Sequence, residues 1–167
     1  QNENGNWVNL LVYQSPYVIS VSTSSPQGDP TGPAVDLANG VLENIALLGS
    51  EANRSTGQIL AASTDEAMVS STSPTLLSIL PTSLEVPSGL TLVEDIARSL
   101  EQVSIVYSNP TDMMLRFSEW GWRGNAFRVF ASVDATVSPE DTTYLAISVH
   151  EFSDPAVAAQ ALDYALA

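Results

Sequence analysis

The chain has 167 residues, of which 44% are hydrophobic and 14% charged, the length and apolar content of one domain able to bury roughly 70% of its unfolded surface. Five arginines, no lysine and 19 carboxylates give a net charge of −14, a field that repels nucleic acid and anionic lipid headgroups and so excludes both as partners. There is no cysteine, which excludes disulfides, thiolate metal sites and cysteine nucleophiles, and no apolar run approaches the ~18 residues of a membrane-spanning helix.

In chain order, Trp7, Asn9, Leu11 and Tyr13 alternate with Val8, Leu10 and Val12. Gln14-Ser15-Pro16 is a turn, and Tyr17-Val18-Ile19-Ser20-Val21-Ser22 is a second β-rich run, so the opening is a hairpin. The turn formers of Ser25-Pro26-Gln27-Gly28-Asp29-Pro30-Thr31-Gly32-Pro33 precede a helix in which Leu37, Val41, Leu42, Ile45 and Leu48 recur at helical spacing. Pro33 suits its first turn and Gly49 its stop, giving a strand-strand-helix unit over 7–48. Residues 50–80 are rich in Ser and Thr with short apolar stretches, and predict a long, partly ordered connection.

A turn cluster, Leu84-Glu85-Val86-Pro87-Ser88-Gly89-Leu90, leads into Thr91-Leu92-Val93-Glu94-Asp95-Ile96, expected to be extended. Ser99-Leu100-Glu101-Gln102 has the spacing of a capping box and opens a short helix to about Tyr107. Asn109-Pro110 supplies the N-cap and first residue of another, lined on one side by Met113, Met114, Phe117 and Trp120 and stopped by Gly121. Strands follow at 126–131 and 143–152, and Asp154-Pro155 caps a helix with Val157, Ala161, Leu162, Ala165 and Leu166 at helical spacing. Residues 126–166 repeat the strand-strand-helix theme. The expected architecture is one α+β domain over 1–167, with an antiparallel sheet built from the two units and helices mainly on one face.

Leu80-Pro81 through Pro87-Ser88-Gly89-Leu90-Thr91-Leu92-Val93-Glu94, the stretch Glu119-Trp120-Gly121-Trp122-Arg123-Gly124-Asn125-Ala126-Phe127-Arg128-Val129-Phe130, and Ser148-Val149-His150-Glu151-Phe152 with Ala158-Ala159-Gln160-Ala161-Leu162-Asp163-Tyr164 resemble a family of uncharacterised exported, often lipoprotein-like, bacterial domains of Chloroflexi and related lineages. The resemblance covers about half of the chain, and Trp-Gly-Trp is its most specific part. Residues 7–48 resemble what closes the same kind of domain at its C-terminal end, which implies that the two halves stand in permuted order. A circular permutation, a junction between tandem domains, and halves that complement neighbouring chains all accommodate that order, and permutation is preferred for the fold. The resemblance implies location and architecture but no catalytic residue.

No motif carries a reaction. His150, the only histidine, has no nucleophile elbow in any of the serine contexts, and is expected at an edge or on the surface of a half-buried strand. Asp134, Glu140 and Asp141 share a loop without a calcium-binding pattern, and one histidine without cysteine makes zinc improbable, so neither a metal nor a cofactor is expected. Asn53-Arg54-Ser55 fits the glycosylation pattern, which is short enough to arise by chance. Trp120, Trp122 and Arg123 could form an aromatic platform for a sugar or a small apolar ligand. The plainer reading puts Trp120 at the end of a core-facing helix and Trp122 over the chain entering the strand.

The absence of lysine and the acidic surface suit a protein that stays soluble outside the cell or at its surface. The expected role is therefore a non-enzymatic exported domain that binds a ligand or a partner protein. A structural subunit of an extracellular assembly or filament, joined by strand or segment exchange, is the alternative. A hydrolase is the least favoured.

Overall fold

Alternation of side chains over Asn6–Gln14 (β1) and Tyr17–Ser25 (β2) produces the expected hairpin, paired antiparallel from Asn6 opposite Ser25 to Gln14 opposite Tyr17. The computed structural model describes residues 6–25, 28–55, 74–132 and 143–166. Asp29 starts the first helix, its Oδ1 accepting from the Thr31 amide at 2.9 Å and the Thr31 hydroxyl at 2.6 Å. That helix, α1, runs over Thr31–Ser55 and passes through Gly49, where a stop is expected. Glycine within a helix costs only about 1 kcal/mol. Most of the Ser/Thr-rich connection lies outside the described residues, but Pro74–Ser78 forms a short helix, α2.

The extended segment after Gly89 is a strand, β3 (Thr91–Arg98), and β4 (Trp122–Ala131) and β5 (Tyr144–Phe152) complete the sheet. All pairings are antiparallel, in the order β1-β2-β5-β4-β3. Between β3 and β4 stand α3 (Leu100–Ser104), opened by the expected Ser99/Gln102 capping box, and α4 (Pro110–Glu119), whose N-cap Asn109 accepts from the Asp112 amide. The left-handed Gly121 ends α4 as expected. Asp154 Oδ1 accepts from the Ala156 amide at 2.7 Å and opens α5 (Pro155–Leu166).

Helices cover both faces of the sheet rather than mainly one. On the first face Ile19, Val21, Leu145, Ile147, Val149, Ala126 and Phe130 pack against Leu37, Ala38 and Val41 of α1 and Leu76, Ile79 and Leu80 from α2 and its exit. On the second face Val18 and Phe152 meet Val103 of α3, Met113 and Phe117 of α4, and Ala158 and Ala161 of α5. The cause lies in β4 and β5, which bury successive rather than alternate residues; a strand apolar on both sides needs a cover on each. The buried stripe of α5 is Ala158 and Ala161, whereas Leu166 is exposed.

Candidate functional site

The second face bears polar residues in the middle of the sheet. Strand periodicity puts Ser148, His150 and Phe152 of β5 on this face, and β5 is the central strand, so His150 is neither at an edge nor on the surface as expected from sequence. Phe117 of α4 stacks on its imidazole, with centroids 5.8 Å apart and planes 5° from parallel. Phe117 also packs against Trp120, Trp122, Tyr107 and Phe152, so an aromatic cluster gathers around one α4 side chain.

The hydrogen bonds of His150 fix its tautomer. An indole N–H only donates, and Trp122 Nε1 stands 3.2 Å from His150 Nδ1. Nδ1 is therefore the acceptor, and the neutral ring carries its hydrogen on Nε2, 3.3 Å from Ser148 Oγ. Burial lowers the His150 pKa from 6.5 to about 4, with the nearby Arg98 charge acting in the same direction. Ser148 Oγ also accepts from Asn125 Nδ2 at 2.7 Å, and the same amide donates to the Val149 carbonyl at 3.0 Å. Ser148 thus accepts from both neighbours and keeps its own hydroxyl hydrogen to donate. Asn125 is fully buried, and its Oδ1 has no partner among the described residues. Such an atom costs about 1–3 kcal/mol, spent here beside the oriented hydroxyl of Ser148.

Above these groups lies a cavity of about 220 Å³. Its floor includes Ser20, Ser148, His150 and Phe127, and its walls come from α3, α4 and α5. Val106, Tyr107 and Tyr164, all exposed, form an apolar lip. Tyr107 is only partly covered, and the desolvation of its phenol raises its pKa. Among the described residues of the lining, Arg98, at the end of β3, is the only formally charged one. Its guanidinium lies 3.3 Å from the centre of the Phe127 ring and 3.5 Å from Glu94.

The three residues expected to form a platform have separate places. Trp120 lines the cavity and meets Tyr164 edge-on at 5.5 Å. Trp122 belongs to the packed cluster and acts through His150. Arg123 is exposed and lies outside the cavity lining. Sequence reasoning missed Arg98, Phe117, Asn125 and Ser148; the one available signal was the alternation that sets Ser148 and His150 on the same face of an otherwise apolar strand. Asp134, Glu140 and Asp141 lie outside the described residues, as does the side chain of Asn53. Among the described residues no group of carboxylates and histidine gathers as a metal site would require, and no helix is long and apolar enough to cross a membrane.

The Ser148–His150 pair is arranged to hold a hydroxyl rather than to deprotonate it: a general base would face Oγ with a bare nitrogen, and here the nitrogen facing Oγ carries the hydrogen. Comparison of the chain with protein-family models, curated proteins and solved structures finds no match.

Proposed function

We propose that this domain binds a small, mainly apolar ligand without transforming it, in the cavity between the second sheet face and α3, α4 and α5. The observation that carries the reading is a lined space of about 220 Å³ with an aromatic wall and, on its floor, the Ser148 hydroxyl oriented by Asn125 and His150. Its volume lies between the roughly 150 Å³ of a cavity that holds benzene and the roughly 300–1,000 Å³ of drug-sized sites. One ring with a short substituent fills such a space. The donor hydrogen of Ser148 provides the polar anchor that fixes orientation.

The net charge of −14 without lysine supports placement outside the cell or at its surface, as does the resemblance to exported domains. The test is a titration with 2-phenylethanol, followed by the fluorescence of Trp120 and Trp122. Saturable change is expected, and Ala165→Phe, at the exposed mouth of the cavity, is expected to abolish it while leaving the urea midpoint unchanged. Fluorescence that rises linearly with ligand, or an identical response in Ala165→Phe, would sink the reading.

A second reading has its own observation. β1 and β3 each pair on one side only, leaving both edges of the sheet open among the described residues. Strand addition between copies would use them, and light scattering across a concentration series decides: a constant mass of 17.7 kDa counts against assembly.

A further inference from the structure

We infer that the ligand of this cavity is a carboxylate, an aryl or short alkyl acid whose anionic end is held by Arg98 and the Ser148 hydroxyl. The inference rests on the ligand-binding reading above and adds the chemical class of the ligand. The chain carries 19 carboxylates and five arginines, yet the described cavity lining contains one arginine and no carboxylate. In a chain of this net charge an anion is admitted only where a cation is kept for it, and carboxylate binding to a planar guanidinium is favoured by its fork of donors.

The placement supports this. Phe127 and Ser148 are directly opposite in the β4–β5 ladder, and the Arg98 guanidinium lies over the Phe127 ring, so the cation and the hydroxyl donor flank the same ring on the cavity floor. The existing partner of Arg98 is weakly held: Glu94 approaches only one guanidinium nitrogen, at 3.5 Å, and is about half exposed. A carboxylate presented from the cavity side can take the free donors, and Glu94 is its only close charged competitor among the described ion pairs. The neutral His150 supplies no second cation, which leaves the anion to Arg98, and the lip of Val106, Tyr107 and Tyr164 suits the uncharged remainder of the molecule.

Three ligands with one ring and different ends test the assignment: phenylacetate, 2-phenylethanol and 2-phenylethylamine, each titrated against the full chain by tryptophan fluorescence at neutral pH. Phenylacetate is expected to bind at least tenfold tighter than the alcohol, and the amine most weakly. Equal affinities, or a preference for the amine, overturn the carboxylate assignment while leaving the cavity reading intact, whereas no saturable response to any of the three overturns both. Arg98→Met keeps an apolar stem over Phe127 and is expected to bring phenylacetate down to the level of the alcohol. A preference that survives in Arg98→Met also overturns the assignment. Glu94→Gln removes the competitor and is expected to tighten phenylacetate several-fold without moving the alcohol, and an unchanged affinity there counts against the assignment too. Arg123→Gln, an equal loss of charge outside the lining, is expected to leave the preference as it is; losing it there would refer the effect to net charge and reject the role of Arg98.

Discussion

Asp95 and Arg128 face each other across the β3–β4 ladder and form a two-pronged ion pair, Nε to Oδ1 and Nη2 to Oδ2, each at 2.9 Å. The remaining nitrogen of Arg128 donates to the carbonyls of Leu80 and Pro81 at 2.9 and 3.0 Å. One buried side chain thus fastens the edge strand and the segment leaving α2 to the same point of β4. Arg128→Met keeps the bulk but leaves a carboxylate and two carbonyls without donors, and is expected to destabilise the fold by about 3 kcal/mol. Arg128→Lys, which lacks the planar fork, is expected to recover less than half of that loss. Urea denaturation of the three chains gives the comparison.

The depressed pKa of His150 makes stability depend on pH in a defined direction. Above pH 6.5 the ring is neutral in both states and contributes no slope. As pH falls from 6.5 to about 4, the unfolded chain takes up a proton that the native one refuses, so stability is lost; below about 4 both forms are protonated and the loss levels off. Across that window the stability of the native chain relative to His150→Gln is expected to fall by about 3 kcal/mol. Urea midpoints at pH 7.5, 5.5 and 4.5 measure it, and parallel curves for the two chains would refute it.

Phe117 is 3% exposed and touches five aromatic rings, including the imidazole. Phe117→Ala is expected to cost about 3–5 kcal/mol and Phe117→Leu less than half as much. Ring stacking contributes beyond buried area, so the leucine chain should also show a His150 proton resonance shifted downfield in NMR spectra, because the ring current of Phe117 is gone.

Gly121 has a φ of +59°, and a Cβ there would collide with the Ser153 side chain. Its carbonyl accepts from the Ser153 amide at 2.8 Å. Gly121→Ala combines backbone strain with that collision and is expected to destabilise by about 2–3 kcal/mol. Adding Ser153→Gly should restore the part due to the collision but not the part due to φ, and thermal melts of the single and double variants separate the two.

Local chemistry made most elements legible from the amino acids alone. The Ser99/Gln102 box, Asn109-Pro110 and Asp154-Pro155 each satisfy orphan amides within three residues, so the sequence carries them without help from the rest of the chain. The choice of sheet face is different. Leu37 and Val41 of α1 and Met113 and Phe117 of α4 form similar apolar stripes, and nothing within either helix says that they approach the sheet from opposite sides. The hint lay in Val129-Phe130 of β4, where adjacent apolar residues point to opposite faces. The site was less legible still, because it depends on register: Trp122 meets His150 and Asn125 meets Ser148 only through the β4–β5 ladder, with its irregularity between Trp122 and Gly124. Trp120 lies in the cavity lining at the end of a locally encoded helix, and Arg123 lies outside it, next to Trp122 where that ladder shifts.

The central position of β5 also makes the sheet depend on a long-range pairing. β2 finds its second neighbour only in β5, after a gap on the order of a hundred residues, and contacts of such long range slow the search for the native state. Until β5 arrives, the N-terminal hairpin and the β3–β4 pair each present an unpaired inner edge of the sheet, the kind of surface on which nascent chains stick to one another. A binding floor built on β5 therefore comes into being only when β2 and β4 have both paired with it, because the floor takes Ser20 from one neighbour and Phe127 from the other.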